Sequence, residues 1–137
     1  MISFDLHDFI EQASASGFIG TQDVDRLQQD ILKNGLSSRV EAEALLALDR
    51  SVTAPDSWVS VLKGLVVDFV LWTPTTCGSL STGDALWLTT VLEMSGPNER
   101  AMAIAYAVLD EARRVDSALL DFIMRGRQRA RLATLAA

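Results

Sequence analysis

Three segments of the chain place a carboxylate six residues after a glycine: Gly17 to Asp23, Gly35 to Glu41 and Gly78 to Asp84. A small apolar residue follows each acid (Val24, Ala42, Ala85), and a leucine comes ten after the glycine (Leu27, Leu45, Leu88). That glycine-to-acid spacing is the one a twelve-residue calcium loop needs, with its sharp turn at the glycine and its bidentate acid at the end. The other ligands would then be Gln12, Ser14 and Ser16; Asp30, Leu32 and Asn34; and Thr73, Thr75 and Cys77. No loop supplies more than two carboxylates, and Leu32 has no oxygen to offer on its side chain. A hard dication gives up its water only for more anionic oxygen than that. The same residues suit the start of a helix. Ser38-Arg-Val-Glu41 reads as a capping box, in which the serine oxygen accepts from the amide three residues on and the acid reaches back. Ser81-Thr-Gly-Asp84 is the same device with a shorter acid, and Thr21 can cap the helix after Gly17. Helix initiation is therefore the preferred reading. Divalent-metal binding at Asp30, Asn34, Glu41 or Glu43 is its alternative.

Other chemistry-bearing residues are few. His7 and Cys77 are the single histidine and cysteine, which excludes an internal disulfide and a Cys/His zinc cluster. His7 lies among Asp5, Asp8 and Glu11 and is expected on a polar face. Cys77 has no basic residue within ten positions to lower its pKa, and an inert or packed thiol is expected. Asp68 interrupts the most apolar segment and is a candidate buried polar residue paired with an arginine, unless it faces solvent with Ser57, Ser60 and Gly64. Trp58 and Trp72 flank the same segment and could line a groove for a partner helix. Arg125, Arg127, Arg129 and Arg131 form a cationic end. No catalytic constellation emerges, and the chain is expected not to be an enzyme and to need no cofactor.

The elements that position these residues are helices. Apolar residues make up 49% of the 137 and charged residues 22%, a globular balance, and three prolines leave room for long helices. Helical periodicity predicts helices from Ser3, over 21–33, from Ser38, over 56–72, from Ser81, over 97–115 and from about Asp116. The faces expected inward include Val40 in the third, Ala85, Leu88, Val91 and Leu92 in the fifth, and Leu119, Leu120, Ile123 and Met124 in the last. The fold class is all-α, a compact bundle of about seven helices forming one domain over 1–137. Residues 1–96 carry a net charge of −8 and residues 97–137 one of +2, within a total of −6. A net-acidic chain binds nucleic acid poorly, so no nucleic-acid partner is expected. No apolar run reaches the length of a membrane span, and the acidic start lacks the features of a secretory signal, which predicts a cytoplasmic protein.

The segment Asn34-Gly35-Leu-Ser-Ser-Arg-Val-Glu41 resembles the D-G-x-[VI]-[ST]-x-x-E turn of TerB-like domains, the tellurite-resistance-type helical family, with Asn34 where that turn has aspartate. Thr76-Cys-Gly78-Ser-Leu-Ser-Thr-Gly-Asp84 looks like a second copy. The resemblance implies a bacterial cytosolic helical bundle, in some members linked to stress response and metal association. The function read from the residues themselves is a non-enzymatic module for protein interaction or regulation. Its partner is an unknown protein, with a homodimer compatible, and its contacts use Arg125, Arg127, Arg129, Arg131, Trp58 and Trp72 or the acidic N-terminal surface.

Overall fold

The computed structural model describes residues 4–32, 35–73, 76–94 and 99–136. The fold is all-α, with seven helices among the described residues: α1 (Phe4–Ser16), α2 (Thr21–Arg26), α3 (Arg39–Ser51), α4 (Asp56–Leu71), α5 (Thr82–Glu93), α6 (Glu99–Glu111) and α7 (Ser117–Ala136). Two two-residue strands, β1 (Ser79–Leu80) and β2 (Arg114–Val115), pair in parallel. The expected helix over 97–115 is shorter than its pattern suggested, because Ala112 and Arg113 leave the helix to enter β2. The expected helix over 21–33 is α-helical only to Arg26 and then widens into a π-helical turn, Leu27–Ile31, closed by the Leu32 amide donating to the Leu27 carbonyl at 2.7 Å.

The chain divides into two compact units, residues 1–69 and 70–137. In the first, α1 packs on α3 and on the π-helical turn. Its centre is Trp58, fully buried and stacked on Phe9 with ring centroids 6.4 Å apart. The indole Nε1 donates to Asp49 Oδ1 at 3.0 Å, so a buried carboxylate and a buried N–H satisfy each other. Arg26 lies over the outer side of this cluster, 5.6 Å from the Phe9 ring centre. In the second unit α5 and α6 both pack on α7. Ala85, Leu88, Val91 and Leu92 of α5 are buried as their spacing predicts, and so are Ala101, Ile104, Ala105 and Val108 of α6. Each large aliphatic side chain taken from water in this way contributes about 1.5–3 kcal/mol. At Gly126 of α7 an added Cβ would overlap the Met102 side chain, so α6 and α7 approach closely there.

The two units follow one plan at a constant offset. Gly17 and Gly78, 61 residues apart, both adopt positive φ, +79° and +89°. After Gly17, Phe18 forms a parallel bridge with Thr53; after Gly78, Ser79 pairs in parallel with Arg114, at the same offset. Ile19, Val24, Leu27, Trp58 and Leu62 of the first unit are matched by Leu80, Ala85, Leu88, Leu119 and Ile123, and all ten are buried. Helix α4 takes part twice. Its first half is the last helix of the first unit, while Val67 and Val70 near its end match Leu6 and Phe9 of α1, again all buried. The chain is therefore built as a tandem repeat that shares a helix.

Candidate interaction surface

The turn carboxylates are engaged with the protein's own backbone. Glu41 is buried, and its Oε1 accepts from the Ser37 amide at 2.7 Å and the Ser37 hydroxyl at 2.5 Å. Ser38 caps α3, its oxygen accepting from the Glu41 amide at 3.3 Å. The box therefore forms with one change: the acid closes onto Ser37 rather than onto the capping serine. At the start of α5, Ser81 accepts from the Asp84 amide at 3.2 Å. At the start of α2 the cap position is Gly20, not Thr21, and the Gly20 amide donates to Asp23 Oδ2 at 3.0 Å. Gly35 also has positive φ, +81°, so all three glycines end the preceding segment as their position predicts.

Of the alternative metal set, Asp30 and Glu43 are exposed and Glu41 is turned onto Ser37. Asn34 lies outside the described residues. No group of three or more His, Cys, Asp or Glu side chains could hold a metal ion among the described residues.

Two candidate residues lie elsewhere than expected. Asp68 is exposed rather than buried, on a stripe with Ser57, Ser60 and Gly64, so solvent carries its charge. Trp58 lines no groove, since it is the buried centre of the first unit. Trp72 is 45% exposed and its Nε1 donates to Glu111 Oε2 at 3.2 Å, which holds the ring beside Gly78. His7 is exposed and pairs with Glu11 at 3.0 Å. Cys77 is exposed, not packed, and has φ of +47°. A carboxylate missed from sequence is Asp116, which caps α7. It accepts from the Ala118 amide at 3.1 Å and the Thr82 hydroxyl at 2.8 Å, and these bonds hold its pKa below the usual carboxylate value.

The surface that stands out is the outward side of α7. Leu119, Phe122 and Ile123 are buried, but Leu120, expected inward, is 42% exposed and Met124, also expected inward, 60%. Leu132 and Leu135 continue this apolar band toward the C-terminal end. Arg127 and Arg131, one helical turn apart, lie on the same side and are exposed. Together with Met124, Gln128 and Leu135 they line a shallow open depression. Arg125 turns aside to Glu93, 3.0 Å away, in an exposed pair, and Arg129 is exposed beside it.

The repeat shows how this helix differs from α4. At the 61-residue offset Arg127, Gln128 and Arg131 stand where α4 has the buried Val66, Val67 and Val70. In α4 those positions are apolar and buried; in α7 they are polar and exposed. Leu120, Met124, Leu132 and Leu135 are left exposed among these polar residues.

Among the described residues no helix is long and apolar enough to cross a membrane. No protein-family model matches the chain, and neither a curated protein nor a solved structure shows significant similarity to it.

Proposed function

We propose that this chain is a non-enzymatic protein-interaction or regulatory module whose working surface is the outward side of α7. The observation that carries the reading is the run of exposed Leu120, Met124, Leu132 and Leu135 set among Arg127 and Arg131. An apolar band with flanking guanidinium groups suits a partner that brings both apolar side chains and carboxylates. Burial of the leucines supplies affinity, and the arginines select an acidic partner and its orientation. The chain acts in the cytoplasm in this reading. Trp72 and the exposed acids of the first unit are secondary contact candidates.

The metal-binding alternative suggested by the TerB-like turn has less support, because the Glu41 carboxylate already serves the Ser37 amide and hydroxyl. Photo-crosslinking in cells of the source organism tests the main reading. A benzoylphenylalanine at Met124 is expected to capture a defined partner, and one at the exposed Thr90 of α5 is not. Equal adducts from both positions, or none from either, would overturn it.

A further inference from the structure

The α7 surface is cationic and apolar, and the chain itself carries a surface of the opposite kind. Helix α1 buries Leu6, Phe9 and Ala13 and turns Phe4, Asp5, Asp8 and Glu11 outward, all exposed. At 100° per residue these four fall within about a third of the helix circumference, with Phe4 between the acids. Phe4 is 80% exposed, the highest value among the large apolar side chains of the described residues. The outer side of α1 is thus an acidic strip with an apolar residue inside it, and the outer side of α7 is a basic strip with apolar residues inside it. Charge is distributed to match: residues 1–69 carry 11 acidic and 5 basic side chains, and residues 70–137 carry 7 of each.

We infer that the occupant of the α7 surface is a second copy of this chain, docking the Phe4, Asp5, Asp8 and Glu11 side of its α1 against Arg127, Arg131 and the exposed leucines and methionine. This rests on the reading of α7 as the working surface and names its partner. Asp8 and Glu11 are about one turn apart, as Arg127 and Arg131 are, so the two helices can pair charge to charge along one line. Phe4 supplies the aromatic anchor that an apolar band with an Arg rim accommodates. The net −6 of the chain opposes approach to an anionic bilayer and to a second copy alike, so self-docking depends on the local match of the two strips in charge and spacing. The surfaces that meet are different patches, so the contact is heterologous, and a copy has one of each to offer.

Sedimentation velocity of the full chain, from about 1 µM to about 1 mM, reads this contact in the range where weak association shows. The native chain is expected to gain mass with concentration and to lose that gain in high salt, since exposed charges are screened beyond about 10 Å at 0.1 M and more closely above it. Arg127→Glu with Arg131→Glu is expected to remain monomeric, and so is Asp8→Arg with Glu11→Arg. Each variant alone sets like charges against like. An equimolar mixture of the two sets opposite charges together and is expected to associate again. A mixture that restores mass cannot be explained by misfolding of either variant, and unchanged far-UV circular dichroism checks the fold separately.

A native chain that stays monomeric throughout overturns the inference. So does association that both reversals leave intact, or a monomer that floats with vesicles of equal phosphatidylglycerol and phosphatidylcholine. If the native chain is monomeric while the Met124 crosslinker still captures another protein, the self-docking inference fails and the interaction module stands. If neither occurs, both fall.

Discussion

Replacing Trp58 with phenylalanine isolates one bond in the centre of the first unit. The indole is fully buried, and its Nε1 lies 3.0 Å from Asp49 Oδ1, a carboxylate only 8% exposed. Phenylalanine keeps most of the apolar contact with Phe9 but removes the donor. A hydrogen bond to a charged group is worth about 1.5–3 kcal/mol, and the smaller ring leaves a partial cavity, so a loss of about 2–4 kcal/mol is expected. With a urea slope near 2 kcal/mol/M, the unfolding midpoint falls by about 1–2 M. Asp49→Ala is expected to cost a similar amount, because it strands the indole N–H in the core. The double variant is the informative one. Removing both partners costs less than the sum of the single losses, with a coupling of about 1–2 kcal/mol. Urea unfolding followed by far-UV circular dichroism measures all four corners of this cycle. Additivity within about 0.5 kcal/mol, or a neutral Trp58→Phe, would refute the reasoning.

Four further outcomes follow from the turns. Gly78→Ala is expected to destabilise more than Gly17→Ala: both impose positive φ, about 1 kcal/mol. At Gly78 alone the new Cβ would lie 3.1 Å from Trp72 Cη2 and 3.2 Å from the Arg113 side chain, while at Gly17 it meets nothing within 4 Å, and paired thermal melts compare them. Glu41→Ala is expected to lower stability by about 1–3 kcal/mol through the lost partner of the Ser37 amide. Millimolar calcium or magnesium is expected to produce neither calorimetric heat nor a thermal shift in the native chain, and saturable heat abolished by Glu41→Ala would contradict the capping assignment. Asp116 has a lowered folded pKa, so its stabilisation is present above the ordinary carboxylate value of about 3.9 and is lost as pH falls through the lower folded value. Asp116→Asn should therefore narrow the difference in urea midpoint between pH 7 and about pH 2.5, and an unchanged difference would argue against the cap.

What could be read from sequence was local chemistry. Ser38 and Ser81 announce their helices because a cap acts within one turn, and the glycines announce positive φ because few other residues tolerate it. The inward side of α5 was legible for the same reason, as one stripe at one period. The outward placement of Val40, Leu120 and Met124 was not, because a helix with apolar residues on two sides does not reveal which side meets a neighbour. Asp68 illustrates the converse. Its neighbours Ser57, Ser60 and Gly64 mark a solvent stripe in a helix that composition alone assigns to the core. The parallel bridges at Phe18 and Ser79 are too short to leave an alternating pattern. The 61-residue repeat shows in sequence only as the recurring glycine, threonine, acid and leucine; its shared helix becomes visible once Val67 and Val70 are seen in the places of Leu6 and Phe9. The candidate surface was half legible: the arginines announce themselves, but the leucines beside them look like core.

In the proposed function the outer side of α7 is where this protein meets its partner. The most direct measurement is the yield of photo-crosslinked adduct from position 124 in the native background and in Arg127→Glu/Arg131→Glu, at equal melting temperature. The expected yield is at least about tenfold lower in the variant, as the loss of two arginines from the rim of a docked surface entails. An undiminished yield would mean that the partner does not read these arginines, and would contradict the proposed function.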